Sequence, residues 1–259
     1  MSYKIQKYGW IPDLPDHRDF MYSAPPAVLQ KLPDSVDLTQ GSSFMPPVYD
    51  QGQVGSCTAN AIAGGFQYAR RKNNEAPDFV PSRLFIYYNE RVIEGTVSQD
   101  SGAQIRDGIK TIAKSGVCPE TPDWPYDPSK VTVKPSPTAF HDASKYKAVQ
   151  YQRLNQDLAQ LKGCLASGYP FVFGFMVYES FESQHVAQTG NVPMPAPSES
   201  AIGGHAVLAV GYDDKHRQFL VRNSWGSSWG KKGYCHMPYE YLINTNLASD
   251  FWTISLIKA

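Results

Sequence analysis

The chain has 259 residues, 42% of them hydrophobic, and its 24 lysines and arginines balance 24 aspartates and glutamates. That length holds one large domain or two packed lobes with a sizeable core, and a formal charge of zero with no long basic run excludes the electrostatic footprint of a nucleic-acid or anionic-membrane binder. The four cysteines, Cys57, Cys118, Cys164 and Cys235, lie far apart without a CxxC pair, which argues against a disulfide scaffold or zinc ribbon and for a reducing compartment.

Residues 1–31 are rich in proline, aspartate and aromatics without periodicity, and "YSAPPAVLQKLP" reads as a linker, so they form an N-terminal extension ahead of a body at 32–259. The first twenty residues lack the apolar stretch of a signal peptide, and the longest apolar run, "YPFVFGFMVY", is too short to span a bilayer. With Met1 as the native start, the expectation is a cytoplasmic chain with no membrane partner, a secreted or lysosome-like compartment staying open.

In the body, Ser56 is placed to cap a helix through "CTANAIAGGFQYARRKN", whose small residues Ala61, Gly64 and Gly65 let another element approach. Ser82 caps a second helix through "RLFIYYNERVIEG", and a third, "AQIRDGIKTIAKSG", stops at Gly116. A fourth runs from a cap at Asn155 to a stop at Gly168. The short apolar runs "PFVFGFMVY", "HAVLAVGYD", "QFLVRNSW" and "FWTISLI" then read as strands, with "DDKH" at 213–216 as a hairpin turn. Between the first two strands, Pro193, Pro195 and Pro197 mark a loop from His185 to Ser200. The outline is a helical lobe over about 50–150 and a β-rich lobe over about 151–259, with a site in the cleft between them.

Cys57 opens the first helix behind the glycine-rich turn "YDQGQVGSC", where unpaired backbone N–H groups and the helix dipole favour a thiolate. A cysteine nucleophile needs a base, and His205 opens the strand "HAVLAVGYD". The base needs an orienting acceptor, which Asn223 at the end of the adjoining hairpin strand supplies. A developing oxyanion needs donors, which the Cys57 N–H and the Gln51 side-chain amide supply. Taken singly, each residue has an ordinary explanation in packing, a turn or a polar surface. Their order and local contexts together are hard to reach by chance.

"QGQVGSC", "GGHAVLAVGY" and "NSWGSSWG" resemble the corresponding stretches of the papain-like cysteine peptidases, and the resemblance runs over most of the chain from about Leu32. It implies an α+β fold with a helical left lobe, a β-barrel right lobe and an active-site cleft between them. It implies peptide-bond hydrolysis of a peptide or protein substrate through an acyl-enzyme. The roles it implies are Cys57 as nucleophile, His205 as ion-pair partner and acid/base, Asn223 as orienter, Gln51 as oxyanion donor, and Trp225 as a shield over the histidine–asparagine hydrogen bond. Gly102 and Ala103 match the glycine pair that binds the substrate backbone, and with Ile105, Gly204 and Trp225 they complete the expected substrate-binding set. The chain departs from the family where Val54 and "DSGAQ" stand in place of a cysteine pair, so the usual disulfide cannot form, and where Thr58 replaces the aromatic after the nucleophile.

The extension is too short to be an independently folded inhibitor domain. Tyr8, Trp10, Ile11, Leu14 and Phe20 would be exposed apolar surface unless they packed on the body, so residues 8–20 are expected to pack there, over the cleft or as a strap remote from it. The chain is expected to be a monomer without cofactor or metal, since its six histidines show no HExxH or close pair. Two other functions fit the same residues: another acyl transfer, as in an amidase, a peptide ligase or a transglutaminase-like enzyme, and a non-catalytic binding module.

Overall fold

The computed structural model describes residues 7–41 and 44–258, with the side chains of 256–258 outside the description. The first six residues of the extension, on which part of the signal-peptide reading falls, lie outside the described residues. In chain order the elements are α1 (Pro26–Leu29), β1 (Ser35–Asp37), α2 (Cys57–Lys72), α3 (Arg83–Glu94), α4 (Ile105–Lys114), α5 (Pro137–Ala143), β2 (Lys147–Arg153), α6 (Leu158–Ala166), β3 (Phe171–Tyr178), α7 (Gln184–Thr189), β4 (Ala201–Asp213), β5 (Gln218–Arg222), β6 (Tyr234–Pro238), α8 (Tyr239–Ile243) and β7 (Ala248–Lys258).

The three long helices form where the sequence signals place them, by somewhat different local chemistry. Ser82 accepts the Phe85 N–H at 3.2 Å as an N-cap, and α3 ends on Gly95 in the left-handed conformation. Ser56 stands at the N-cap of α2 but does not cap it, because its hydroxyl is 2.7 Å from the Tyr126 hydroxyl. Asp157, rather than Asn155, caps α6 by accepting the Gln160 N–H at 3.0 Å. Past the end of α4, Gly116 has φ +79, and a Cβ there would stand 1.9 Å from the Ala143 carbonyl oxygen, so only glycine fits.

The strands make one antiparallel sheet in the order β2-β7-β3-β4-β5-β6, with β1 added along β4. Two cores result. One gathers Ile62, Phe66, Phe85 and Ile109 from the helices and reaches Leu208 and Ile254 in the sheet, and the other lies within the β-rich part around Phe171, Phe173, Phe219 and Phe251. The small face of α2 is the junction: a Cβ on Gly65 would lie 3.5 Å from Leu208 and 3.6 Å from Ile254, and one on Gly64 2.8 Å from the Arg222 guanidinium. Helix and sheet therefore meet at backbone distance, which fixes α2, with Cys57 at its start, against β4, which holds His205, and β5, which ends just before Asn223.

Three details differ from the sequence reading. Strand β2 was not expected: "KAVQYQR" is a polar edge strand with only Ala148 buried, so it lacks the apolar signature of an interior strand. The start of the proline-rich loop forms α7, capped by Ser183 and stopped by Gly190, before the prolines begin. Strand β4 starts at Ala201, four residues before His205, so the histidine sits inside a strand and not at its opening.

Candidate active site

The register of β4 and β5 brings His205 to Asn223. Leu208 faces Arg222 across the ladder, so one step further along each strand puts Asn223 opposite Val207, and His205 becomes its diagonal neighbour on the same face. The His205 Nε2 to Asn223 Oδ1 distance is 2.8 Å. The same oxygen accepts the Ser224 N–H at 2.8 Å, which identifies it as the acceptor end of the amide, so Nε2 must carry the ring proton and Nδ1 is left as the base. Trp225 covers this pair, its ring centroid 5.0 Å from that of His205 at 32°, with Phe181 and Trp229 packed behind it.

Cys57 is the first residue of α2 and is fully buried. Burial pushes its thiol up to about 12, against backbone hydrogen bonds from Ala206 and Gly9 that favour the thiolate. Burial likewise lowers His205 to about 4, against the Asn223 hydrogen bond. Desolvation opposes the effect of the helix terminus and disfavours the charged forms of both the thiol and the imidazole. Gln51 is fully buried beside Asn223: its Oε1 accepts from the Ser224 hydroxyl at 2.7 Å, and one Nε2–H goes to the Val54 carbonyl at 2.9 Å.

The extension lies across the site and adds to this burial. Trp10 N–H donates to the Gly204 carbonyl at 3.0 Å, Ala103 N–H to the Gly9 carbonyl at 2.7 Å, and Ile11 N–H to the Ala103 carbonyl at 3.0 Å. Gly9 passes so close that a Cβ on it would stand 1.8 Å from the Gly55 carbonyl oxygen, and one on Gly102 would stand 2.4 Å from the Gly9 carbonyl oxygen. On one side of Gly9, the Tyr8 ring rests on Gly203, 6.4 Å from the His205 ring centroid, and its hydroxyl donates to Glu182. On the other, the Trp10 ring lies against Gly174 and Gly204, and its indole N–H reaches Asp250 Oδ2 at 3.2 Å. The Gly102 loop is itself held by the Tyr87 hydroxyl, which accepts the Gly102 N–H at 2.9 Å and donates to Asp100 at 2.6 Å.

Beyond Trp10 the extension is anchored by charge. Arg106 grips Asp19 with two nitrogens, at 2.6 and 3.0 Å, and donates to the Leu14 carbonyl. Arg153 reaches Asp13 at 3.2 Å, Asp19 at 3.3 Å and Asp250 at 2.8 Å. The Asp13 N–H donates to Asp250 at 2.8 Å, and the Trp252 indole N–H to Asp13 at 3.0 Å. Burial, with Asp250 nearby, raises the Asp13 carboxyl to about 6, and burial also raises Asp250.

Of the expected substrate-binding set, Gly102, Ala103 and Gly204 line the cleft under the extension. Ile105 does not: it starts α4 and is buried in the helical core with Ile109 and Ile112, because the helix turns that side chain inward. Trp225 stands behind the imidazole, wholly buried, and not in the cleft. Of the five apolar extension residues, Trp10 is buried and Tyr8 partly so, whereas Ile11, Leu14 and Phe20 stay 39%, 71% and 68% exposed. Sequence reasoning missed Asp250, Arg106 and Arg153; a lone aspartate in the apolar strand "ASDFWTISLI" was the available signal. Among the described residues, no group of three or more His, Cys, Asp or Glu could hold a metal ion, no helix is long and apolar enough to cross a membrane, and all four cysteines are free and buried.

Residues 32–251 match the family described as papain family cysteine protease. A peptidase C1-like protein of Acanthamoeba polyphaga mimivirus is 45% identical over 96% of this chain and 86% of its own length. The digestive cysteine proteinase 1 of Homarus americanus is 25% identical over 84% of this chain, which spans 66% of that protein, just under two thirds. The crystal structure of xylellain, a cysteine protease from Xylella fastidiosa, superposes with a TM-score of 0.89 at 50% identity, covering 98% of this chain and 97% of the other.

Proposed function

The chain belongs to the papain family of cysteine proteases, and we propose that Cys57, His205, Asn223 and Gln51 carry its peptide hydrolysis while residues 8–20 hold the site closed. The carrying observation is the imidazole fixed at Nε2 by the anchored Asn223 oxygen at 2.8 Å, with Cys57 at the adjoining helix start. When a peptide replaces Gly9, the thiol proton passes to His205 Nδ1 and the thiolate sulfur bonds the scissile carbonyl carbon. The oxyanion takes the Cys57 N–H and the second Nε2–H of Gln51. His205 returns its proton to the departing amine as the C–N bond breaks, leaving a thioester. Water then gives a proton to Nδ1 and attacks the thioester, the C–S bond breaks, and the carboxylic product and the free thiol are restored.

The closed extension should resist cleavage in the pose it holds, since the Gly9 backbone N–H faces the Cys57 sulfur. It acts as a competitive cover. The test is iodoacetamide alkylation with peptide mapping, run on the full chain and on a Tyr8→Ala/Trp10→Ala chain. Cys57 should react faster than Cys118, Cys164 and Cys235 in the second chain, more slowly in the first, and no faster than the others after His205→Ala. Equal rates at all four cysteines in the opened chain would remove the assigned roles; equal Cys57 rates in the two chains would remove the cover.

A further inference from the structure

Two backbone segments wall the slot in which Gly9 lies. One is the turn that leads into Cys57, where a Cβ on Gly9 would stand 1.8 Å from the Gly55 carbonyl oxygen. The other is the Gly102 loop, where a Cβ on Gly102 would stand 2.4 Å from the Gly9 carbonyl oxygen. A substrate residue that replaces Gly9 must fit between the same walls. These are the segments where Val54 and "DSGAQ" stand instead of a cysteine pair, and all four cysteines are free, so no disulfide sets their spacing.

What joins the walls is the carboxyl of Asp100, a side chain only 12% exposed. The Gly55 N–H reaches its Oδ1 and Oδ2 at 3.1 and 3.2 Å. The Tyr87 hydroxyl donates to Oδ1 at 2.6 Å and accepts the Gly102 N–H at 2.9 Å. A continuous line of hydrogen bonds therefore runs from Gly55 through Asp100 and Tyr87 to Gly102. Tyr87 is a fixed post on α3: its side chain is wholly buried, and Arg91 stacks on its ring at 3.9 Å while donating to the Gln99 carbonyl at 2.5 Å. Burial, and then the bond to Asp100, raises the Tyr87 hydroxyl well above its ordinary value, so it stays a donor. Gly55 stands two residues before Cys57, whose N–H faces the developing oxyanion, so a shift of this turn displaces that donor.

We propose that Asp100, braced by Tyr87, is a positioning residue for peptide hydrolysis: a hydrogen-bonded clamp that holds the Cys57 turn and the Gly102 loop at the spacing a substrate backbone needs. The inference rests on the peptidase reading, and its test separates the two. Hydrolysis of one fluorogenic peptide is measured in the Tyr8→Ala/Trp10→Ala chain and in further variants of it. Asp100 also pairs with Lys7 of the extension at 3.6 Å, and losing that contact favours opening, so it works against the fall in rate expected here.

Asp100→Ala should lower kcat/KM by about tenfold or more, with kcat reduced and KM raised, because one wall carries the oxyanion donors and the other binds the substrate backbone. Asp100→Asn, whose amide oxygen accepts from both Gly55 and Tyr87, should bring kcat/KM back to within about threefold. Tyr87→Phe cuts the same line at its next link, so the loss in the double variant Asp100→Ala/Tyr87→Phe should be at least about threefold smaller than the product of the single losses. A lowered Tm with unchanged kcat/KM in Asp100→Ala, an Asn variant as slow as the Ala variant, or single losses that multiply would each overturn the clamp. Tyr87→Phe keeps the ring in its packing and decides alone where Asp100→Ala does not fold: kcat/KM within about twofold of its parent would overturn the proposal.

If the opened chain cleaves no peptide, the same peptide with a reduced, uncleavable bond reads the slot through its protection of Cys57 from iodoacetamide. Protection weakened about threefold or more by Asp100→Ala would uphold the clamp and overturn the peptidase roles. Unweakened protection would overturn both.

Discussion

The two ends of the covered cleft deal with burial in opposite ways. Around Cys57 and His205 the extension brings a backbone glycine and aromatic rings but no counter-ion, and both titratable groups are driven to their neutral forms. Around Arg106, Arg153 and Asp250 it brings two carboxylates of its own, and the arginines are held in ion pairs. Desolvation thus disfavours charge at one end, and charge pairing supplies the attachment at the other.

The neutral end is broken most severely by its own residues. In the Tyr8→Ala/Trp10→Ala chain, Cys57→Ala should lower peptide hydrolysis by on the order of 10⁴-fold or more, and His205→Ala by roughly 10³-fold, both read as kcat/KM on one fluorogenic peptide. The charged end is broken by Arg106→Gln, which leaves Asp19 without its bidentate partner. Loss of one member of a buried pair costs about 3–5 kcal/mol, and undocking the extension relieves it. Alkylation of Cys57 in this otherwise intact chain should therefore accelerate by about 10²-fold or more. A fall in Tm with no change in alkylation would show that the ion pair supports the body rather than the cover.

Acid sharpens the comparison because the two ends have opposite signs. His205 lies near 4 when covered against about 6.5 when free, so it takes up a proton only when the extension lifts, and acid favours opening. Asp13 lies near 6 when covered against about 3.9 when free, so it gives up a proton on opening, and acid favours closing. In a Cys57→Ser background, where no thiol exchanges protons with the imidazole, exchange of the Trp10 and Ile11 amides reports opening. After correction for intrinsic rates it should be nearly flat from pH 6 to 4. Adding Asp13→Asn should leave the histidine dominant, so that opening rises toward tenfold per pH unit on acidification. Adding His205→Gln instead should reverse the slope. A flat profile in the Asp13→Asn chain would mean that the covered imidazole is hydrated.

The smallest effect belongs to a third buried carboxyl. Glu90 accepts from the Thr58 hydroxyl at 2.9 Å beneath the nucleophile, and burial raises its pKa well above the usual carboxylate range. A neutral acid and an amide have nearly the same shape and charge, so Glu90→Gln should change stability by less than about 1 kcal/mol and leave kcat/KM within about twofold. Chemical denaturation and the same peptide assay check both.

The candidate catalytic group was legible because each member carries a local signature: a cysteine at a helix start behind a glycine-rich turn, a histidine after paired glycines, an asparagine before "SWG". The extension's placement was not, because its anchors join residues 87 to 240 positions apart that show no pattern in the chain. Asp250 was hidden for the same reason, since its meaning depends on Arg153 and Trp10 arriving from elsewhere. Thr58, seen only as a missing aromatic, has its partner in Glu90, 32 residues away.

Because Gly9, Trp10 and the cleft belong to one chain, the cover is present at a fixed effective concentration, on the order of millimolar for a short tether. Dilution cannot lift it, and a scarce peptide of ordinary affinity competes poorly with it. The cover should therefore raise the substrate concentration needed for half-maximal rate by the inverse of the open fraction, with the response staying hyperbolic, and extended peptides that engage several contacts at once should offset it best.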